Sequence, residues 1–270
     1  MEYILHIIIM LSIYAILVLS ANLPVGMANL LTMCQAAFYG IGAYIGTYFL
    51  MQFNFPFVVL ALIVMVATGL FSLLVSFASV KLKDDYFILA TLGFQMIVYT
   101  ILYNWTDVTR GPYGIPGIPT IKLFGVLPLS GVWGYVALVV VLAVVVGLFF
   151  YAIKKSPYGR VLRAMRRDEQ AVKALGRNTT LFKMETFFLS AAFSGLAGVI
   201  YASYVSYIDP TSFTLDESIF IISALFIGGI GNIKGPVLGA LFVVLLPELL
   251  PKSVQYFLQY NYWLLINFLP

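Results

Sequence analysis

The sequence predicts an all-α fold, a polytopic transmembrane helical bundle, and three observations carry that prediction. From Tyr3 to Val80 the chain runs 78 residues without one Asp, Glu, Lys or Arg. A charged side chain at the centre of a bilayer costs about 2.5–3.5 kcal/mol on insertion scales, so a charge-free run of this length belongs in lipid. Hydrophobic residues make up 62% of the chain and charged residues 10%, where soluble domains carry about 25% charged residues. The apolar residues also fall in blocks close to the roughly 20 residues that a bilayer-crossing helix needs. Cys34 is the single cysteine and His6 the single histidine, which leaves no means of building an internal disulfide or a Cys/His metal cluster.

The blocks are taken in chain order. Tyr3–Leu23 comes first and is ended by Pro24 and Gly26. Only Met1-Glu2 precede it, with no Lys or Arg, so it reads as a span and not as a cleaved leader. Ala28–Phe53 and Phe57–Val80 follow, separated by Asn54-Phe55-Pro56. Tyr86–Trp105, Ser130–Ile153 and Thr186–Tyr207 are the next three. Ile219–Ile230 and Val237–Leu250 form a close pair around Gly231-Asn232-Ile233-Lys234-Gly235-Pro236, and Val254–Leu269 closes the chain. About 7–9 membrane segments are therefore expected, in a single domain of residues 1–270.

Two regions are expected to be broken or re-entrant. Ile219–Ile230 is short for a plain crossing, and Leu23–Gly46 carries Pro24, Gly26, Gly40 and Gly42. Irregular backbone at membrane depth survives only where protein packs around it or where it lines a cavity, which makes both regions candidate pathway elements. Ala36-Ala37-Phe38-Tyr39-Gly40 also echoes Ala224-Leu225-Phe226-Ile227-Gly228, a hint of the internal repeats that transporters use.

Charge orients the chain. Residues 154–185 hold nine basic and three acidic residues, net +6, whereas the rest holds six basic and eight acidic, net −2. Lys and Arg concentrate in cytoplasmic loops, so this stretch is expected inside the cell. By alternation Lys81–Asp85 lies inside, whereas Thr106–Leu129 and Asp209–Glu217 lie outside. Asp209, Asp216 and Glu217 are then placed to meet a basic partner or simply to be solvated.

The basic stretch has the marks of structure. Ser156-Pro157 reads as a cap and first helical residue, Asp168 as the cap of a second helix over Glu169–Leu175, and Gly176 as its stop. Asn178 offers a cap to the next segment. Val161, Leu162, Met165, Val172 and Leu175 share one side of the helical wheel, with Arg163, Arg166, Arg167 and Lys173 opposite. In an unbroken helix Asp168 and Glu169 would sit on the apolar side, an odd place for carboxylates without partners. Attraction to anionic lipid headgroups and docking of a cytoplasmic partner on an amphipathic helix both fit. Nucleic acid fits poorly, because few aromatic rings lie among the cations.

Ser156-Pro157-Tyr158-Gly159-Arg160-Val161-Leu162-Arg163-Ala164-Met165-Arg166, continuing to Glu169 and Ala174-Leu175-Gly176, resembles the cytoplasmic loop of branched-chain amino acid ABC importer permeases. Four further blocks resemble that family in the same order: Ala36–Tyr44, Asp85–Phe94, Gly111–Ile115 and Gly228–Ala240. The resemblance implies an inner-membrane permease subunit of a prokaryotic leucine/isoleucine/valine uptake system. It further implies a second permease subunit, two cytoplasmic ATPase subunits that bind ATP and Mg, and an extracytoplasmic substrate-binding protein. This chain itself would hold no cofactor. The ATPases would couple through Tyr158, Gly159, Arg160, Arg163, Arg166, Asp168, Glu169, Leu175 and Gly176. Departures occur at Thr32-Met33-Cys34-Gln35, at Arg110 and Tyr113 where Gly and Asn are common, and in the spacing from Glu169 to Gly176. They leave urea, amides and other small polar solutes open as cargo.

No Gly-x-x-x-x-Gly-Lys-Ser/Thr phosphate loop is present, so the chain is not an ATPase and power must come from a partner or a gradient. Paired acids at membrane depth are missing from the pattern, with Glu248 the main exception, which weakens ion coupling and intramembrane catalysis alike. A pathway for a zwitterion needs sparse hydrogen-bonding groups on apolar walls. Thr32, Gln35, Tyr39, Tyr44, Thr91 and Gln95 can supply them, and Gly40, Gly42, Gly228, Gly229 and Gly231 allow close backbone approach. Ordinary helix packing accounts for the same residue types equally well.

Overall fold

The computed structural model describes residues 2–53, 55–79, 82, 84–123, 127–128 and 132–249. The predicted segment Val254–Leu269 lies outside the described residues. The chain is all-α apart from short two-residue strands. Its helices are α1 (Glu2–Ala21), α2 (Gln35–Gln52), α3 (Phe57–Ser79), α4 (Asp84–Asn104), α5 (Thr106–Thr109), α6 (Val132–Lys155), α7 (Pro157–Arg167), α8 (Glu169–Ala174), α9 (Thr179–Val205), α10 (Leu215–Gly228) and α11 (Lys234–Leu249). Among the described residues six stretches are long and apolar enough to cross a membrane: Tyr3–Met27, Phe57–Ala78, Asp85–Asn104, Val132–Lys155, Thr179–Val205 and Pro210–Gly228.

α9 is the axis of the bundle, and its composition explains why. Ser190, Ala191, Ala192, Ser194, Gly195, Ala197, Gly198 and Ala202 are all buried along it. Lipid tails are as apolar as leucine, so membrane helices associate through close van der Waals packing, and small residues permit it. A Cβ on Gly42 of α2 would lie 2.2 Å from the Gly195 Cα, and one on Gly198 would lie 2.2 Å from the Tyr39 carbonyl oxygen. α2 and α9 thus touch backbone to backbone. α3 closes on the other side of α9, where Thr68 meets Gly195 and Phe188 meets Gly69. The outward faces of α3 and α6 carry Leu62, Leu70, Val141, Val144 and Leu148, all more than half exposed, as a lipid-facing surface requires.

The first break falls at the start of the expected Leu23–Gly46 stretch. Gly40, Gly42 and Gly46 lie inside an unbroken α2, where they serve packing. The break sits earlier. Helix α1 runs on through a π-helical turn, Asn22–Met27, and the chain then reverses at Asn29, whose φ is 56°. Pro24 accounts for the widened turn, because it has no N–H and its ring clashes with the carbonyl four residues back. That carbonyl is Ser20, and Ser190 of α9 donates its hydroxyl to it at 2.9 Å.

The second short segment also shifts. α10 begins at Leu215, and a 3₁₀ turn at Pro210–Phe213 leads into it. α9 begins at Thr179, within the basic stretch, ahead of the predicted Thr186. The echo between residues 36–40 and 224–228 is not a structural repeat, since the first block opens α2 and the second ends α10.

At the end of the bundle away from the basic loop, β1 (Ile115–Pro116) pairs antiparallel with β4 (Tyr207–Ile208), and β2 (Lys122–Leu123) pairs with β3 (Leu127–Pro128). Arg110 adopts φ 58° there, next to Gly111 at φ 52°. The left-handed region costs a residue with a Cβ about 1–2 kcal/mol, which gives a physical reason for the glycine that the resembled family favours at this position.

Gly198→Ala is expected to lower the thermal stability of the detergent-purified chain by about 1–3 kcal/mol of overpacking. Gly93→Ala in α4, where an added Cβ meets nothing within 4 Å, leaves it unchanged or raised. Arg110→Gly is expected to raise the melting temperature by a few degrees, worth about 1 kcal/mol; a fall would contradict the strained conformation at this position.

Candidate functional site

Two groups of predicted residues lie at different depths. The basic elbow follows α6. Ser156 caps α7, accepting from the Gly159 N–H at 3.2 Å, and Pro157 takes the first helical position. Gly159 is needed for the bend, because a Cβ there would lie 2.3 Å from the Ile153 carbonyl oxygen. Asp168 ends α7 in extended backbone and caps α8, accepting from Gln170 N at 2.9 Å and Ala171 N at 3.0 Å. Gly176, at φ 77°, closes α8. Its N–H bonds the Lys173 carbonyl while Arg177 N–H bonds the Val172 carbonyl, the paired pattern of a Schellman stop. Asn178 caps α9 through the Leu181 N–H.

The break at Asp168 resolves the misplaced carboxylates. Glu169 turns toward α9, where Lys183 donates at 2.8 Å and Thr179 at 2.9 Å, and Lys173 pairs with it at 2.9 Å. Burial alone would raise its carboxyl, but the bonds from Lys183, Lys173 and Thr179 outweigh that and hold it down at about 2. It stays charged at every physiological pH. Tyr158 stacks near Phe182, shares a 3.0 Å bond with Thr186, and burial pushes its phenol up to about 12.

The apolar side of the elbow packs against its own bundle. Leu162, Met165 and Val172 are buried, and only Leu175, 81% exposed, stands clear at the tip. The cations are also tied inward. Arg163 donates to the Lys154 carbonyl at 2.7 Å and Arg160 to that of Lys155 at 3.4 Å, where both face the negative end of α6. Arg166 reaches further, to the Gly26 carbonyl at 2.6 Å.

The second group surrounds the start of α2. Gln35 donates to Ser20, Ser190 and Ser194, and Ser20 meets Ser194 at 2.9 Å, all four buried. Thr32 bonds Cys34 at 3.0 Å, and Thr91 accepts from Met33 N–H at 3.1 Å. Gln95 of α4 accepts from Ala37 N–H at 2.7 Å and donates to the Phe213 carbonyl at 2.9 Å. Ser218 of α10 accepts from Ala36 N–H at 2.9 Å. The first amides of α2 are therefore met by side chains of α4 and α10.

Tyr39 packs its ring against Phe213 and Tyr201, with centroids 5.0 and 5.5 Å away. Gly40 makes room for Phe213, 2.9 Å from where a Cβ would stand. Tyr44 and Thr47 keep buried hydroxyls with no hydrogen-bond partner among the described residues. Gly228 packs on Gly235 where α10 meets α11, while Gly229 (φ 100°) and Gly231 (φ 77°) make the turn between them. An apolar cleft of about 620 Å³ runs among Leu73, Phe149, Ile153, Leu181 and Phe188; none of the predicted pathway residues lines it.

Several residues were missed by sequence reasoning. Ser20, Ser190 and Ser194 complete the Gln35 cluster, and the four-residue spacing of the two α9 serines was a readable sign of a shared face. Glu217, expected in an outer loop, lies in the first turn of α10, half-buried, and accepts from the Tyr14 hydroxyl at 2.7 Å. Asn22 binds the α10–α11 turn, donating to Asn232 O at 2.7 Å and accepting from Gly231 N–H at 2.9 Å. Nothing local marks either contact, because each joins residues more than 200 positions apart. Among the described residues no cluster of three or more His, Cys, Asp or Glu is placed to hold a metal ion.

Comparison with known proteins agrees with this architecture. The family described as "Branched-chain amino acid transport system / permease component" matches residues 3–269. The high-affinity branched-chain amino acid transport system permease protein LivM of Salmonella typhimurium (strain LT2) is 34% identical over 92% of this chain and 63% of its own length. Its counterpart in Escherichia coli (strain K12) is 33% identical over 90% of this chain and 63% of its own length. A probable branched-chain amino acid transport permease protein LivM of Methanocaldococcus jannaschii is 36% identical over 64% of this chain and 50% of that protein. The chain thus spans less than two thirds of the length of these relatives. No solved structure matches. With six apolar spans and a family match along nearly its whole length, the chain is a multi-pass inner-membrane protein that belongs to the permease-component family of branched-chain amino acid transport systems.

Proposed function

We propose that the chain is the membrane-spanning permease subunit of an ATP-driven ABC importer that moves small amino acids, branched-chain ones first, by alternating access. The observation that carries this reading is the capped basic elbow. Two short helices are fixed at both ends, tied to the bundle by Glu169 and Arg166, and present one exposed apolar side chain, Leu175. A loop that merely set topology would need no such construction. Two ATPase subunits bind ATP and Mg and dock on this elbow and its equivalent in a second permease subunit, and an extracytoplasmic binding protein delivers the solute. Added to the six spans, α2 and the short α11 bring the membrane segments into the range of seven to nine in one permease domain. Tyr39, Tyr44, Gln95 and the glycines around them line the passage at the junction of the broken helices.

A second reading draws on Glu217, a carboxylate within an apolar span and bonded to Tyr14. Ionisable groups at membrane depth mark ion pathways, so gradient-driven transport is the alternative. Urea, amides or another small polar solute remain alternative cargo.

Proteoliposomes separate the readings. With the partner permease, both ATPases and the binding protein present, labelled leucine is expected to accumulate only with ATP. Accumulation by this chain alone on a proton or sodium gradient, abolished by Glu217→Gln, would establish the alternative instead. Leu175→Asp is expected to cut ATP-driven uptake by about tenfold or more, the loss typical of removing a central apolar anchor, with normal membrane insertion; unchanged uptake and unchanged ATPase binding would remove Leu175 from the docking surface.

A further inference from the structure

The basic elbow, the π-turn after α1 and the turn between α10 and α11 meet at one point. Arg166 donates Nη1 to the Gly26 carbonyl at 2.6 Å across 140 positions of sequence. Gly26 belongs to the π-turn, whose first residue, Asn22, holds the α10–α11 turn through Gly231 N–H and the Asn232 carbonyl. The approach is close on all sides. A Cβ on Gly26 would lie 2.8 Å from Gly231 N, and one on Gly231 would lie 2.8 Å from Arg166 Nη1.

Each group suits its place. The Gly26 carbonyl is among the last of a continuous helical run, so it carries the negative end of that dipole toward a cation. Asn22 is buried, and its amide supplies one donor and one acceptor to a turn that offers one carbonyl and one N–H. Arg166 itself is largely exposed, so its bond can form and break without repacking a core. Leu162 and Met165, by contrast, seat α7 firmly. A displacement of α7 therefore has a direct route to the turn that ends α10.

We propose that Arg166 is a positioning residue that transmits movement of the elbow, through Gly26 and Asn22, to the α10–α11 turn at the inner end of the passage. This rests on the importer reading. Arg166 then acts inward on the gate and not outward on the ATPase.

The complete importer in nanodiscs and proteoliposomes tests this with Arg166→Ala, Arg166→Lys and Asn22→Ala. Arg166→Ala and Asn22→Ala are each expected to lower leucine moved per ATP hydrolysed by about tenfold, within the usual range of coupling between sites, with the ATPases still bound. The double variant should be no worse than either single one, and Arg166→Lys, which keeps one donor for the carbonyl, should recover most of the loss. Amide exchange gives a readout independent of transport: Arg166→Ala should speed exchange at Gly231 about fivefold or more by loosening its bond to Asn22. Unchanged exchange at Gly231 overturns the proposal even if transport falls, as does loss of ATPase binding by Arg166→Ala. A wild-type complex that takes up no leucine with ATP overturns the importer reading instead, and the exchange measurement still decides whether the link exists.

Discussion

No water reaches the interior of a bilayer, and every backbone polar group buried there must find a partner within the protein. An unmet backbone group costs several kcal/mol in hydrocarbon, more than one membrane hydrogen bond returns, which averages about 0.6 kcal/mol in double-mutant cycles. This chain interrupts its helices between Met27 and Gln35 and again just ahead of Leu215, and so exposes amides and carbonyls that an intact helix would satisfy. The rest of the core is arranged to meet them. Ser190 covers the carbonyl freed by Pro24, Ser218 and Gln95 cover the opening amides of α2, and Gln35 is held by three serines. Small residues on α9 follow from the same demand, since these short side chains reach one another only if the helices nearly touch.

The elbow obeys a different constraint. It sits in water, where helices of this length are unstable alone, and is kept in shape by caps, by a charged pair at its base and by burial of its apolar side. Its cations look like a docking surface in the sequence, yet Arg160, Arg163 and Arg166 bond backbone carbonyls of the bundle. Among its apolar stripe only Leu175 stands clear, at the tip of a base tied to the bundle through Glu169 and Arg166. That combination suits an element that passes a push onward.

Much of this was legible in the residues, and what was legible was local. The charge-free run gave the bundle, and Ser156, Asp168, Gly176 and Asn178 gave every boundary of the elbow because caps and stops depend on a few adjacent positions. Glycines misled where two physical uses share one residue type. Gly40, Gly42 and Gly46 looked like a break but are contact points, while Pro24 alone made the break. The direction of a side chain was not legible either. The apolar stripe from Val161 to Leu175 predicted a face but not whether a partner or the bundle would cover it. Contacts such as Tyr14 with Glu217 and Asn22 with Gly231 depend on how the helices cross, which no local pattern encodes.

Gln95 has a consequence for how such a protein can open. One amide on α4 ties the first turn of α2 to the 3₁₀ turn that precedes α10. Neither can swing while the other stays still unless that grip lets go. The start of α2, the 3₁₀ turn and α4 are therefore held together through one side chain. A rearrangement that parts them has to break one of these two bonds, whereas one along the seams around them leaves both in place.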